Sequence, residues 1–340
     1  MNVADSANLT EVLQSAGYLP ASSEQEADIL LVNTCVVRQG AEDRAAWYVT
    51  SSKGLKEQNP ELKIILCGCY VTEPGRDVKK QFPHVDLFIP PHSAEKLRAY
   101  LGITQNIAPR TEKIMNNFVT IMTGCDNYCA YCVVPYVRGK ESSRSLEAVL
   151  EEIGQVADRG ARKIILLGQN VNSYQYGLAN LLHQIDHKLV PKYPDLQISF
   201  LTNHPKDLTD EIIEAMARLP FVEKEIQLPL QSGDNDILKQ MNRGYTYEYY
   251  VERVNKLRTL MPEIRIFTDL IVGFPGESEA QFSNTLKAVT ELNFREVHMF
   301  AYSPRPETAA AQLSGQLDEQ IKQARLQRLI KTVRELVARQ

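Results

Sequence analysis

Short apolar segments alternate with helical stretches along most of the chain, and this alternation constrains the fold more than any other feature. The first run has strand-like segments at 29–32, 63–66 and 86–89, with helical stretches at 42–55 and 93–100. The second has strand-like segments at 118–122, 163–167, 197–201, 225–228, 265–271 and 296–300, with helical stretches that include 146–159, 210–219, 247–260 and 279–292. Such alternation is typical of parallel sheets covered by helices.

The sequence therefore predicts an α/β protein of two domains. Residues 1–108 are expected to form an N-terminal parallel α/β domain of Rossmann or flavodoxin-like type. Residues 109–340 are expected to form a partial (β/α)6 barrel of TIM type. A stretch without clear periodicity at 102–115, which contains Pro109, is the expected linker. A last helix at about 317–339 carries a predicted core-facing stripe of Leu326, Leu329, Ile330, Val333 and Val337.

Three cysteines, Cys125, Cys129 and Cys132, follow the first strand of the second run in the spacing C-x3-C-x2-C. Three thiolates can hold three corners of a 4Fe–4S cluster and leave one iron open for chemistry, whereas four-cysteine patterns are typical of electron carriers. Ligand sites of parallel β/α folds lie at the carboxyl ends of strands, which is where this loop falls. The alternative is a zinc site completed by a distant His or Cys. No His lies close to Cys132 in sequence, and Tyr131 before the third Cys also favours the cluster.

Composition limits the class of protein and its compartment. With 340 residues, 44% of them hydrophobic, the chain can bury two cores. A net charge of −4 argues against binding nucleic acid by overall charge, so any RNA contact must be a local basic patch. Six cysteines without a signal-peptide or membrane-spanning pattern indicate a reducing compartment. We therefore expect a soluble cytoplasmic enzyme.

The other three cysteines lie in the first run. Cys35 follows one predicted strand, and Cys67 and Cys69 end the next. Because the ends of neighbouring parallel strands lie side by side, Cys35 and Cys69 could meet at one edge of the sheet. Buried cysteines acting as small hydrophobic side chains are the alternative. Cys67 is assigned to the core, although the C-x-C spacing would place it on the same strand face as Cys69.

The whole chain resembles the radical S-adenosylmethionine (SAM) methylthiotransferase family, and most closely its tRNA adenosine branch. The segments that carry the resemblance are Asn33-Thr34-Cys35, Gly68-Cys69, the Cys125 loop with Val133-Val134-Pro135-Tyr136-Val137-Arg138-Gly139, Leu167-Gly168-Gln169-Asn170-Val171-Asn172, Asn203-His204-Pro205, Leu228-Pro229-Leu230-Gln231-Ser232-Gly233, Met241-Asn242-Arg243-Gly244-Tyr245 and Val272-Gly273-Phe274-Pro275-Gly276-Glu277.

The resemblance implies two 4Fe–4S clusters and SAM as cofactors. Cys125, Cys129 and Cys132 would hold the radical SAM cluster, and Cys35 and Cys69 match two of the three ligands of an auxiliary cluster. In the family one SAM methylates a sulfur attached to the auxiliary cluster, and a second yields the 5′-deoxyadenosyl radical that takes hydrogen from the substrate carbon. Residues 1–5 match the stretch just after the first auxiliary Cys, and the chain stops before the family's small β-rich RNA-binding domain. We therefore expect that Cys and that domain to be absent here.

Polar residues at the barrel strand ends, together with Tyr131 of the cysteine loop, are the candidate SAM-binding residues. They are Tyr131, Gln169, Asn170, Thr202, Gln231 and Asp269. The candidate RNA-binding residues are Arg138, Lys140 and Arg144, with Arg243 and Arg305 as weaker candidates. Ordinary strand-end, capping or surface roles are the alternatives at each position. His204 is expected near the pocket or in a cap.

The function implied by the resemblance is addition of a methylthio group to C2 of N6-isopentenyladenosine at position 37 of tRNA. Alternatives within the family are methylthiolation of N6-threonylcarbamoyladenosine in tRNA or of an aspartate on a ribosomal protein. An alternative of a different class is a catalytically impaired iron–sulfur or RNA-binding fragment. The expected partners are the tRNA anticodon stem-loop, an electron donor of flavodoxin or ferredoxin type, and sulfur or cluster assembly proteins. The chain is expected to act as a monomer away from membranes.

Overall fold

The computed structural model describes residues 1–37, 39–103 and 117–338, and its chain divides into two compact units. Unit 1 comprises Met1–Asn116 and Val133–Gly139, and unit 2 comprises Asn117–Cys132 and Lys140–Gln340. The predicted boundary at 108–109 and nearly all of the predicted linker lie outside the described residues. Within the described ranges, no helix combines the length and apolar character needed to cross a membrane.

Unit 1 is a parallel α/β structure, as predicted. Its sheet has the order β1-β2-β3, with β1 (Ile29–Thr34), β2 (Lys63–Gly68) and β3 (Leu87–Ile89) all parallel. Its α-helices are α1 (Asn2–Ser15), α2 (Gln39–Gln58), α3 (Val78–Gln81), α4 (Ala94–Tyr100) and α5 (Val134–Arg138), with 3-10 turns at Glu24–Glu26 and Cys69–Thr72. The strands and the helices α2 and α4 lie where the pattern predicted them, within three residues at each end. Helix α1 had not been predicted.

Strand β2 is buried on both faces, which explains its continuous apolar sequence. Ile64 and Leu66 pack in one hydrophobic cluster with residues of α2, whereas Ile65 and Cys67 pack in a second cluster with residues of α1 and α4. The helices therefore cover the sheet on both sides.

Unit 2 contains the barrel strands in two parallel three-stranded sheets. Their orders are β4-β7-β8 and β11-β10-β9, and an isolated parallel bridge pairs Ile198 of β8 with Val222, which precedes β9. The strands are β4 (Phe118–Thr120), β5 (Met122–Thr123), β6 (Ser142–Ser143), β7 (Lys163–Leu167), β8 (Gln197–Phe200), β9 (Glu225–Gln227), β10 (Arg265–Val272) and β11 (Glu296–Ala301). The α-helices are α6 (Leu146–Asp158), α7 (Leu178–Lys188), α8 (Asp210–Arg218), α9 (Asn235–Gln240), α10 (Tyr247–Leu260), α11 (Glu279–Leu292), α12 (Ala309–Gln312) and α13 (Glu319–Val337), with 3-10 turns at Val171–Ser173 and Pro205–Asp207.

Two details of unit 2 differ from the sequence prediction. The strand predicted at 118–122 is interrupted at Ile121, because Met122 pairs antiparallel with Ser143 instead of continuing the parallel sheet. In α13, Leu329 is fully buried, but Val337 is 59% exposed and does not belong to the core. Leu336, the preceding residue, packs against the core instead, so the last predicted core position is wrong.

Candidate functional site

The loop Cys125–Cys132 follows β5 and is braced by the segment Met241–Tyr245. The amide of Ala130 donates to the carbonyl of Met241 at 2.9 Å. The side chain of Asn242 donates to the carbonyls of Asn127 and Tyr128, both at 3.1 Å. Tyr128 and Asn242 have φ angles of 45° and 56°, in the left-handed region, which Tyr rarely adopts and Asn adopts more readily. These contacts fix the path of the cysteine loop.

The three cysteines of this loop are each partly buried. Burial raises the pKa of Cys125 to about 11, and the neighbouring Cys129 contributes to the rise. The amide of Cys132 donates to the carbonyl of Cys129 at 2.9 Å, which closes a turn between them. Within the described residues, no group of three His, Cys, Asp or Glu side chains has the spacing that holds a single metal ion. A 4Fe–4S cluster takes each of its cysteine thiolates on a different iron, so its ligands need not converge on one point.

A buried arginine contacts the second cysteine of the loop. The guanidinium of Arg243 donates through Nη1 to Cys129 Sγ at 3.2 Å and to the hydroxyl of Tyr131 at 3.3 Å. The residue is 4% exposed. A buried cation needs an anionic partner, and a thiolate bound to iron supplies one. The donor set therefore fits a cluster held by these cysteines.

His204 lies beside the same sulfur. Its Nε2 is 3.9 Å from Cys129 Sγ, and its Nδ1 accepts the amide hydrogen of Lys206 at the start of a 3-10 turn. Burial, followed by the charges of Arg243 and Lys206, lowers the pKa of His204 to about 2, so the imidazole is neutral. His204 thus both caps a turn and faces the cysteine loop.

Two candidate SAM residues follow β7. Gln169 accepts the amide hydrogen of Gly124 through Oε1 at 2.6 Å, which ties it to the start of the cysteine loop. Asn170 is 1% exposed and donates through Nδ2 to Asp207 at 2.7 Å.

Of the other candidates, Thr202 and Gln231 follow β8 and β9, and Asp269 lies within β10. Thr202 and Gln231 both have a φ of 69°. The amide of Gln231 donates to the carbonyl of Asp269 at 2.9 Å, and the Asp269 carboxylate accepts from Gln227 at 2.6 Å and from His298 at 3.2 Å. Two non-glycine residues in the left-handed region at neighbouring strand ends are a strained arrangement of the kind found at ligand sites.

Two buried acceptors in this region lack a hydrogen-bond donor among the described residues. They are Oδ1 of Asn170 and Oε1 of Gln231. Buried polar atoms are rarely left without partners, so each is suited to a bound molecule that carries N–H or O–H groups. The amine and ribose hydroxyls of SAM are such groups.

Cys35 and Cys69 lie at adjacent strand ends in unit 1. In the register of the parallel strands β1 and β2, Thr34 pairs with Gly68, and each cysteine is the next residue along its chain. Burial raises the pKa of Cys69, with Arg138 opposing the rise and the nearby Cys35 adding to it. The structure thus brings the two predicted auxiliary ligands together.

Gly68 controls the direction of Cys69. Its φ is 94°, and a Cβ added here would lie 2.4 Å from the carbonyl oxygen of Thr34, so only glycine fits. The strand ends at this turn, and Cys69 packs with the cluster on the opposite side of the sheet from Cys67. The expectation that the C-x-C spacing places both cysteines on one face is therefore wrong, because the strand ends at Gly68 and a 3-10 turn begins at Cys69. Cys67 is 1% exposed in the core, and burial raises its pKa to about 12.

Arg138 is also directed at a cysteine sulfur. Its Nε donates to Cys69 Sγ at 3.3 Å, while its other nitrogens contact Asp5 at 2.8 Å and His92 at 2.7 Å. Its side chain is 5% exposed. The predicted RNA contact is therefore not what this geometry favours for Arg138.

Comparison with known proteins identifies the family. Residues 119–289 match the radical SAM superfamily, and residues 1–90 match the uncharacterized protein family UPF0004. A tRNA-2-methylthio-N(6)-dimethylallyladenosine synthase from Endomicrobium trichonymphae is 43% identical over 92% of this chain and 76% of its own length. Synthases of the same name from Clostridium novyi and Trichlorobacter lovleyi are 39% and 41% identical, over 100% and 97% of this chain and 80% of each relative. The chain belongs to the radical SAM methylthiotransferase family.

Solved structures support the fold at lower identity. The radical SAM methyltransferase TsrM from Kitasatospora setae, solved with cobalamin and a 4Fe–4S cluster, superposes with a TM-score of 0.64 at 15% identity, over 90% of this chain and 69% of its own. The radical SAM coproporphyrinogen III oxidase from Escherichia coli gives 0.51 at 21% identity, over 64% and 52%. The predicted α/β fold with a radical SAM barrel is thus confirmed.

Most of the basic side chains predicted to bind RNA contact protein groups instead. Arg144 donates to the carbonyl of Thr120 at 2.8 Å and pairs with Glu152. Arg243 and Arg305 are 4% and 5% exposed. Lys140 is exposed, which is compatible with the predicted RNA contact.

Sequence reasoning missed the arginine–sulfur contacts. Both arginines lie in segments that carry the family resemblance, but the sequence assigns Arg138 to RNA by its charge and its place just beyond the cysteine loop, and Arg243 as a weaker candidate of the same kind. The only sequence signal was the distance of Arg138 from the cysteine loop, six residues after Cys132. For Arg243 nothing local indicates a partner more than a hundred residues earlier in the chain.

Proposed function

We propose that this chain is a radical SAM methylthiotransferase that adds a methylthio group to C2 of N6-isopentenyladenosine at position 37 of tRNA. The observation that carries the proposal is the combination of two separate cysteine sites. One lies in a braced loop at the strand ends of unit 2, and the other at the strand ends of unit 1. The relatives named as tRNA-2-methylthio-N(6)-dimethylallyladenosine synthases favour this branch over the threonylcarbamoyladenosine and ribosomal aspartate alternatives.

Within the proposed function, each site has its own set of protein groups. When bound at Cys125, Cys129 and Cys132, a 4Fe–4S cluster with SAM supplies radical chemistry, and the protein's task is to bind, orient and exclude water. Asn170 and Gln231 would accept hydrogen bonds from SAM through their unpartnered amide oxygens. The buried polar groups at the strand ends would fix its orientation.

The site in unit 1 would hold the auxiliary cluster through Cys35 and Cys69. Arg138 positions the Cys69 sulfur, and the buried carboxylate of Asp5 holds Arg138 in place. The anticodon stem-loop is the proposed form of the tRNA substrate. A low-potential donor of flavodoxin or ferredoxin type and cluster assembly proteins would supply electrons and sulfur.

The test is anaerobic incubation of the reconstituted chain with SAM, a reductant and tRNA that contains isopentenyladenosine. Nucleosides and 5′-deoxyadenosine are then measured in the same run by mass spectrometry. We expect a methylthio mass shift on the modified adenosine together with 5′-deoxyadenosine. The Cys129→Ala variant serves as a control and should give neither product. Formation of 5′-deoxyadenosine without the mass shift would refute the methylthiotransferase assignment, and bound zinc in place of iron would refute the radical chemistry.

A further inference from the structure

The guanidinium of Arg243 is held in one orientation beside the cysteine loop by hydrogen bonds from all three of its nitrogens. Besides its contacts with Cys129 and Tyr131, its Nη2 donates to the carbonyl of Pro229 at 3.1 Å and its Nε donates to the hydroxyl of Tyr245 at 3.1 Å. Each of the three guanidinium nitrogens therefore has a partner. Arginine is suited to this role because its planar group presents several donors in fixed directions.

The charge of this arginine is not balanced by a carboxylate. In the described part of the chain, the groups that contact it are a sulfur, two phenol hydroxyls and a backbone carbonyl. A positive charge without a counter-ion is unfavourable in a buried site unless the sulfur it faces is anionic. The arrangement thus places an uncompensated cation and a hydrogen bond on one cluster ligand.

We propose that Arg243 sets the reduction potential of the 4Fe–4S cluster held by Cys125, Cys129 and Cys132. The inference rests on the proposed radical SAM function. One electron from an external reductant converts the oxidised cluster to the reduced form, with no bond made or broken, and this adds one negative charge beside Arg243. Hydrogen bonds to the ligand sulfurs and nearby charge are among the determinants of such potentials. Arg243 therefore favours the reduced cluster. It acts through the Cys129 sulfur, and is in that sense a positioning residue.

The test is a potentiometric titration of the reconstituted chain with dithionite, in which the reduced cluster is followed by electron paramagnetic resonance. We expect the midpoint potential of Arg243→Gln to be more negative than that of the wild type. Arg243→Lys keeps the positive charge but not the full set of guanidinium hydrogen bonds. The midpoint potential of this variant should therefore lie between those of the wild type and Arg243→Gln. Arg218→Gln removes an exposed charge on α8 of the same unit and should leave the potential unchanged.

A second set of variants separates electrostatics from loop structure. Asn242→Ala removes the hydrogen bonds to the loop carbonyls but leaves Arg243 in place, so the iron content should fall while the potential of the remaining cluster stays the same. If Arg243→Gln does not retain a cluster, the potential is measured in Tyr245→Phe and Arg243→Lys instead. Each of these variants removes hydrogen bonds of the guanidinium group without removing the positive charge. Both should shift the potential to more negative values.

Three outcomes would count against these ideas. A full cluster in Arg243→Gln with an unchanged potential would overturn the role of Arg243 and leave the proposed function intact. Wild-type potentials in both Tyr245→Phe and Arg243→Lys, when Arg243→Gln holds no cluster, would overturn it as well. A wild-type chain that binds no iron–sulfur cluster would refute the proposed function and this inference together.

Discussion

The two cysteine sites use the same contact in different electrostatic settings. Arg243 donates to Cys129 at 3.2 Å in unit 2, and Arg138 donates to Cys69 at 3.3 Å in unit 1. Arg138 is also paired with the carboxylate of Asp5, so its charge is compensated. The positive charge of Arg243 faces only neutral oxygens besides the sulfur among the described residues. Arginine thus brings an uncompensated positive charge to the Cys129 site and little net charge to the Cys69 site.

The difference follows from the work proposed for each site. A cluster that must accept an electron before it reacts gains from an uncompensated cation nearby. A cluster that carries the sulfur to be transferred gains more from a fixed ligand than from added charge. The comparison teaches that a buried arginine must be judged by its other partners, because the arginine–sulfur distance is almost the same in both sites.

The strongest test of the comparison is removal of one cysteine from each site. Cys129→Ala should reduce formation of 5′-deoxyadenosine to background, because the radical cluster loses a ligand. Cys69→Ala should retain 5′-deoxyadenosine but lose the methylthio product. Both products are measured by mass spectrometry under anaerobic conditions. Cys67→Ala is the matched control, since Cys67 lies in the core of unit 1 and should leave both products in place.

The two sites would not be functionally separate if Cys69→Ala abolished 5′-deoxyadenosine while the iron of the radical cluster remained. The assignment of Cys67 to the core would be wrong if Cys67→Ala lost the methylthio product.

Arg138→Gln should destabilise unit 1 by about 3 kcal/mol at neutral pH, because it leaves a buried carboxylate without its cation. Burial alone would raise the pKa of Asp5, but hydrogen bonding to His92 and the charge of Arg138 outweigh burial and hold it below its ordinary value of 3.8. A lowered pKa in the folded state stabilises the protein above the unfolded value. This contribution is lost as the pH falls through the lowered folded value, so the difference between the variant and the wild type should shrink below about pH 4.

The measurement is urea unfolding of the metal-free chain at pH 7 and at about pH 3. Unfolding is followed by far-ultraviolet circular dichroism, because Trp47, the single tryptophan, is 70% exposed in the folded chain and its emission changes little on unfolding. Lys53→Gln, which breaks a pair that is 65% and 68% exposed in the same unit, should cost less than about 0.5 kcal/mol. An equal loss in Arg138→Gln at both pH values would show that Asp5 is not its electrostatic partner.

Gly68→Ala should destabilise unit 1 by about 2 kcal/mol through strain at the turn that directs Cys69. Gly75→Ala is the matched control, because Gly75 also has a positive φ, 74°, but nothing lies within 4 Å of an added Cβ. Urea unfolding followed by circular dichroism should therefore show a smaller loss for Gly75→Ala, about 1 kcal/mol. Equal losses would mean that the close approach to Thr34 does not constrain the turn.

Much of the fold was predictable because it depends on local periodicity. The continuous apolar run of β2 and the helical pattern of α10 and α11 predicted those elements within two residues. The turn at Gly68 was not predicted, since its geometry depends on the close approach of Thr34 from the neighbouring strand. The interruption at Ile121 depends likewise on pairing of the next two residues with a distant segment.

The site was predictable to a similar degree. The cysteine spacing marked the site in unit 2, and strand-end positions with the family resemblance marked the site in unit 1, but the partners of each sulfur come from distant segments. Arg243 was assigned to RNA because only its charge is visible in the sequence. Its burial and its fixed contacts depend on the packing of the loop against the segment Met241–Tyr245.

The smallest expected effect concerns the basic residues just beyond the cysteine loop. Lys140 is exposed, whereas the side chain of Arg138, two residues earlier, is 5% exposed and donates to the Cys69 sulfur. If Lys140 contacts an RNA phosphate, Lys140→Gln should weaken binding of an anticodon stem-loop about threefold at low salt. The slope of log affinity against log salt concentration should also fall in magnitude by about 0.7. Fluorescence anisotropy over a range of salt concentrations measures both quantities.

Lys192→Gln changes an exposed lysine elsewhere in unit 2. It controls for net charge and should leave the slope unchanged. Equal slopes for Lys140→Gln and the wild type would remove the last of the predicted basic contacts and leave the stretch after Cys132 with a role at the Cys69 sulfur alone.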